Sequence, residues 1–215
     1  MLLRINQVVF CLGSGVLGAS ANRMGVWTQG CSLTKCPGCA STHTWSPGGG
    51  KALSVESLLR LARSQKLPPS GLTVSGGEPT DQAEGLTALA REFRAAFPGT
   101  EIVLYTGLRW PVLVERFPQL VALLDVAVVG PYVRTREATP LTGSSNQEVR
   151  LLTPLADCLY HDWQSWPQHA LQVGVGNAGQ LVTVGIPHTP SMARAARQVG
   201  AVDVTWAPVK EDMHA

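Results

Sequence analysis

Charged side chains are scarce in this sequence. They make up 15% of the 215 residues, and the net charge of +2 comes without any run of lysine or arginine. That balance excludes the basic stripe by which nucleic acid is usually gripped. Long apolar runs are missing as well, since no segment approaches the roughly 20 apolar residues that span a bilayer. A disulfide framework is also excluded: the five cysteines are odd in number, and Cys31, Cys36 and Cys39 are crowded together. No internal repeat, low-complexity segment or strong domain boundary interrupts the chain. What is present is 45% hydrophobic residues, enough for one globular domain with a substantial core.

The N-terminus imitates a secretory signal, with Arg4 as a charged flank, Val8 to Gly18 as an apolar run and Ala19-Ser20-Ala21 as a cleavage site. Glycines and Ser14 interrupt that run, and cleavage would deliver close-set thiols to an oxidising compartment. The expectation is a cytoplasmic protein.

Apolar patterning gives the order of elements. Arg4 to Phe10 and Met24 to Thr28 read as strands, separated by the turn Gly13-Ser14-Gly15. Val55, Leu58, Leu59 and Ala62 recur at helical spacing behind Ser54 as N-cap. Gly71 to Ser75 is a strand, and Leu86, Leu89, Ala90, Phe93 and Phe97 mark a helix stopped by Pro98-Gly99. Glu101 to Thr106 is a strand, the region Leu113 to Leu124 a helix kinked or split near Pro118, and Asp125 to Val129 another strand. Strands alternating with helices predict an α/β fold with a parallel sheet. In the tail, Leu171 to Val175 and Leu181 to Ile186 predict a hairpin around Asn177-Ala178-Gly179. A helix at Met192 to Val199 and a strand at Val202 to Trp206 are expected after it.

Cys31-Ser32-Leu33-Thr34-Lys35-Cys36-Pro37-Gly38-Cys39 concentrates soft thiolate ligands, which suit iron–sulfur clusters or zinc. Three thiolates on one loop can take three corners of a cubane and leave the fourth iron open, whereas electron-transfer clusters usually have four. Zinc is the alternative, because His43 could complete a closed Cys3His tetrahedron. Cys11 and Cys158 are isolated and read as buried core thiols. Downstream, Ser75-Gly76-Gly77-Glu78-Pro79 joins a strand to a helix at the strand's carboxyl end, where α/β folds place ligands. Two glycines admit close backbone approach, and exposed carbonyls with Glu78 can receive an ammonium group.

Together these motifs make the chain resemble the radical S-adenosylmethionine superfamily, and within it the activating enzymes of glycyl-radical enzymes, of the pyruvate formate-lyase and anaerobic ribonucleotide reductase type. Thr44-Trp45, Tyr105-Thr106-Gly107, Gly130-Pro131-Tyr132 and Leu141 to Gln147 extend the match, which runs from about Arg23 to Leu152. The resemblance implies a partial (β/α)6 barrel over residues 23–152, preceded by a strand and turn (1–22) and followed by a small extension (153–215) on the same domain. It implies a 4Fe–4S cluster on Cys31, Cys36 and Cys39 with S-adenosylmethionine on the open iron. It also implies a cofactor pocket of Gly76, Gly77, Glu78, Pro79, Tyr105 and Asn146. Reductive cleavage would yield a 5′-deoxyadenosyl radical that takes hydrogen from a glycine of a protein partner, with a low-potential donor such as flavodoxin or ferredoxin. Radical modification of a peptide or small molecule, or a non-catalytic iron–sulfur or zinc protein, are the other readings. Two positions depart from the family pattern. Four residues, not three, separate Cys31 from Cys36, a bulge that ligation is expected to survive. Val129 stands where relatives often carry an acid before Gly-Pro.

Overall fold

The computed structural model describes residues 1–12, 15, 17–33, 36–167, 172–175 and 181–185. In chain order come β1 (Leu2–Leu12), β2 (Arg23–Thr28), β3 (Lys51–Ser54), α1 (Val55–Arg63) and β4 (Gly71–Gly76). α2 (Ala83–Ala96), β5 (Glu101–Thr106), α3 (Trp110–Arg116), α4 (Pro118–Val121) and β6 (Val126–Val129) follow. β7 (Glu148–Leu151), α5 (Pro154–Leu159), β8 (Gln172–Val175) and β9 (Leu181–Val184) complete the described order. The expected tail helix and last strand and the turn at 177–179 lie outside the described residues. Among the described residues no helix is long and apolar enough to cross a membrane.

Seven strands form one sheet in the order β3-β1-β2-β4-β5-β6-β7. The run β2-β4-β5-β6 is parallel, as the strand–helix alternation requires, and antiparallel strands flank it on both sides. This open α/β sheet with a parallel core is the partial-barrel architecture that the sequence led us to expect. The apolar stretch Val8–Phe10 is buried in β1, where Val8 and Val9 pair with β2. β8 and β9 pair as the predicted hairpin, with Val175 opposite Leu181.

The helices cover one face. α1 begins where Ser54 accepts a hydrogen bond from the Ser57 amide at 3.0 Å, and it buries Val55, Leu58, Leu59 and Ala62, one stripe of its surface. α2 buries Leu86, Leu89, Ala90 and Phe93 in the same way. These side chains pack with Met24, Val26, Leu72, Val74, Ile102 and Leu104 of the parallel strands. Each such side chain, fully buried, contributes about 1.5–3 kcal/mol. The intervening residues of the strands point to the opposite face, where Val103 and Val126 meet Leu141, Ala156 and Tyr160.

A buried ion pair crosses the sheet at the start of its parallel strands. Arg23 of β2 pairs with Glu101 of β5, both fully buried. Arg23 also donates to the Leu72 carbonyl and to Thr73 at 3.0 Å, while Glu101 accepts from the Ser20 amide at 2.6 Å and from the Tyr160 hydroxyl. Tyr160, just after α5, is thereby tied to strands more than fifty residues earlier in the chain. β3, β7 and α5 are found without having been expected. β3 and β7 are four-residue strands that are at most half-buried, too short to show a period. Cys158 is exposed, correcting its reading as a core thiol, because α5 turns Ala156 inward and position 158 outward.

Candidate functional site

Period-two alternation sends Trp27 of β2, Ser75 of β4 and Tyr105 of β5 to the face opposite the helices, with Trp27 and Ser75 in register. At the carboxyl ends of these strands the chain turns into loops that enclose a cavity of about 250 Å³. Cys31, Cys36 and Cys39 line it from the loop after β2, and Gly76, Gly77 and Glu78 from the turn after β4. Tyr105, Thr106 and Gly107 border it from β5. Two of the residues expected in the cofactor pocket are not part of this lining. Pro79 is buried behind it as the first residue of the 3-10 turn Pro79–Gln82. Asn146 is turned away, donating to the Pro131 carbonyl at 2.7 Å, with its Oδ1 buried and unpartnered.

The two motifs are stitched together through their backbones. The Gly77 amide donates to the Thr28 carbonyl at 3.0 Å and the Glu78 amide to the Gly30 carbonyl at 2.9 Å. A Cβ on Gly77 would collide with the Gly30 oxygen, and one on Gly76, whose φ is +121°, would collide with the Thr28 backbone. These glycines therefore serve the approach of one loop to the other. The Gly30 and Cys31 amides donate in turn to the Thr44 and Trp45 carbonyls at 2.7 and 3.2 Å, so the returning chain holds the entry to the cysteine loop.

Side chains that the sequence did not single out fix the same loop. Asp81, in the turn after Pro79, accepts from the Ser32 amide at 2.7 Å and from its hydroxyl at 2.6 Å. Buried Gln29 donates to the Ser46 carbonyl at 2.7 Å and accepts from Asn6 at 2.7 Å. Gln82 donates to the Arg4 and Gln29 carbonyls at 3.0 and 3.1 Å. The available signal was their crowding around the two motifs, but polar residues beside motifs are ordinarily solvated.

Glu78 is buried and saturated with donors. Its Oε1 accepts from the Thr80 amide, the Thr80 hydroxyl and the Thr106 hydroxyl at 3.1, 2.7 and 2.7 Å, and its Oε2 accepts from the Gly107 amide at 2.9 Å. The carboxylate thus ties the glycine turn to the end of β5. Burial pushes the Cys31 thiol up to about 11, with smaller contributions from Glu78 and Asp81 opposed by a hydrogen bond from the Leu33 backbone. Burial also raises Cys36, helped by Cys39 and opposed by the Tyr132 backbone. Both shifts favour the protonated thiol, so coordination works against them in drawing off the proton.

The position of His43 bears on the two metals left open by the sequence. His43 is exposed and absent from the cavity lining, so the fourth ligand of a Cys3His zinc site is missing. Cys31, Cys36 and Cys39 all border one cavity, where three thiolates could take three corners of a cluster.

The family described as 4Fe-4S single cluster domain matches residues 13–150. The chain belongs to that family. Among curated proteins, an anaerobic ribonucleoside-triphosphate reductase-activating protein from Salmonella typhi is 28% identical over 144 residues, covering 64% of this chain and 93% of the relative. A pyruvate formate-lyase-activating enzyme from Listeria monocytogenes is 28% identical over 142 residues, covering 63% of this chain and 57% of the relative. The crystal structure of QueE from Escherichia coli aligns with 50% of this chain and 53% of that one, at 22% identity and a TM-score of 0.41. The 4Fe–4S family match and the two activating relatives bear out the radical S-adenosylmethionine resemblance, and with it an iron–sulfur cluster and S-adenosylmethionine as the cofactors.

Proposed function

We propose that this member of the 4Fe–4S single cluster family installs a glycyl radical on a protein partner, acting in the cytoplasm with a low-potential donor such as flavodoxin or ferredoxin. The observation that carries the reading is one cavity shared by the three cysteines and the Gly76–Glu78 turn. Cys31, Cys36 and Cys39 would hold the cluster, and the turn would seat the amino group of S-adenosylmethionine. Bound together, these cofactors supply one-electron cleavage of the sulfonium and a carbon radical able to remove hydrogen.

The residues of the chain position and shield that chemistry. Trp27, Leu17 and Leu141 give the cavity apolar walls that exclude water, and the Gly77–Thr28 and Glu78–Gly30 hydrogen bonds hold the two loops in fixed relation. Thr139, Thr142 and Gln147 add neutral polar groups. Glu78 is the only charged side chain among the carboxylates and cations of the described lining, and it is already saturated. A described lining without a cationic side chain suits an uncharged peptide segment better than a small anionic substrate. The relatives whose names speak of activating a reductase and a lyase support the same choice. Residues 23–152 would carry the reaction and 153–215 would pack beside it as an extension.

The test is anaerobic reconstitution with iron and sulfide, then dithionite and S-adenosylmethionine, with chromatography for 5′-deoxyadenosine. Product that vanishes in Cys36→Ala, and a glycyl radical signal on a partner, are the expected results. Purified protein that takes up zinc and refuses a cluster would overturn the reading.

A further inference from the structure

The cavity wall has an outer side. Leu33, Cys36, Gly107 and Tyr132 line the main cavity, and the same four residues back onto a second hollow of about 370 Å³. Cys36 is the one cysteine of the three that borders both. Pro37 and Pro131 give the hollow an apolar floor, and Arg109 stands on its rim. The stem of Arg134 crosses Gly38, between Cys36 and Cys39. Arg136 follows in a turn closed by its amide on the Val133 carbonyl at 3.0 Å. These three arginines are exposed, and none of them makes an ion pair among the described residues. Glu137, beside Arg136 in the chain, is the acid next to this group.

We propose that this hollow, with Arg109 in its lining and Arg134 and Arg136 following its Val133 in the chain, is where an acidic one-electron donor protein docks. The inference rests on the iron–sulfur reading of the three cysteines. Exposed cations beside an apolar floor steer an anionic partner and hold it briefly, as a reusable donor requires. The donor would give up one electron, and a cluster held by Cys31, Cys36 and Cys39 would take it up. Entry from the outer side leaves the main cavity to the substrate, so reduction and hydrogen removal do not compete for one opening.

Reduction of the reconstituted protein by photoreduced flavodoxin, followed anaerobically by stopped-flow bleaching of visible absorption, tests this directly. The double variant Arg109→Glu with Arg134→Glu is expected to be reduced about tenfold more slowly at low ionic strength, the gap closing as salt is added. Dithionite, which needs no docking face, reduces variant and wild type alike. Arg109→Gln alone, which leaves the cysteine loop untouched, slows the flavodoxin reaction in the same direction by a smaller factor. Flavodoxin rates at the wild-type level in these variants would place the donor elsewhere and overturn the proposal. So would normal flavodoxin rates with lost affinity for the glycyl-radical partner, which would give the face to the substrate protein. A wild-type preparation that dithionite cannot reduce would sink the iron–sulfur reading itself.

Discussion

At the scale of single residues, the site is set by close approach. Gly77 has no room for a Cβ beneath the Gly30 carbonyl, so Gly77→Ala has to push the glycine turn away from the cysteine loop. Overpacking of this kind costs about 1–3 kcal/mol, and here it also misplaces Cys31 one residue further on. We expect Gly77→Ala to lower the melting temperature and to bind less iron per chain after reconstitution, measured by thermal scans and metal analysis. The thiols themselves differ in reactivity. With its pKa raised from 9.0 to about 11, Cys31 keeps its proton longer in the folded state than in the unfolded one. The sign follows: the metal-free fold loses stability as pH rises from about 9 towards 11, and below that window this thiol contributes no pH dependence. Iodoacetamide at pH 8.5 should therefore label exposed Cys158 before Cys31 in metal-free protein, and mass spectrometry of the digest reads the order. Labelling of Cys31 first would show that burial does not govern this loop.

At the scale of elements, two polar ties do work that hydrophobic periodicity cannot announce. Arg23 and Glu101 stand at the first positions of β2 and β5, where the sequence offers only a charged residue beside an apolar run. Their meeting depends on the parallel order of β2, β4 and β5, which places residues 78 apart in the chain across a single intervening strand. Removing one partner of such a buried pair leaves an uncompensated charge, so Arg23→Met is expected to cost about 3–5 kcal/mol in chemical denaturation. Tyr160→Phe deletes only a hydroxyl that Glu101 accepts from, and should cost about 1.5–3 kcal/mol. The second tie, Asp81 to Ser32, is exposed and concerns the cysteine loop alone. Asp81→Ala should leave the melting temperature nearly unchanged while the reconstituted cluster bleaches faster in air; Asp81→Asn, which keeps one acceptor, recovers part of the difference. Equal bleaching rates would mean that Ser32 does not hold the loop. The strands and helices, by contrast, were legible from the sequence. Glu101 to Thr106 is a strand with the bounds read from its apolar pattern, and the helix near Pro118 is split there because proline cannot donate to the preceding turn.

At the scale of the whole molecule, the question is what the tail adds to a core that the family match covers only as far as residue 150. The cysteine loop and the glycine turn could be placed at one end of the sheet from sequence alone, because strand–helix alternation fixes where the carboxyl ends lie. The side of the cavity away from them could not, since it is assembled from distant pieces with no motif of their own. Val184 of β9 is buried against Val9 of β1 and Leu17, with Trp27 and Tyr105 packed alongside, and Val184, Gly185 and Pro167 all border the cavity. The hairpin thus covers one wall of the chamber while all three cysteines lie outside it. A chain ending at Pro167 should therefore still take up iron, because Cys31, Cys36 and Cys39 and the ties that hold their loop are intact. It should bind S-adenosylmethionine about tenfold more weakly, the loss expected for about 1.4 kcal/mol of missing apolar cover. Trp27 would become more accessible to acrylamide quenching at the same time. Iron content, calorimetric titration with S-adenosylmethionine and tryptophan fluorescence separate the possibilities. Retained iron with weakened binding and exposed Trp27 makes the tail a wall of the cofactor chamber, whereas full affinity in the shortened chain would make it an appendage to a site complete without it.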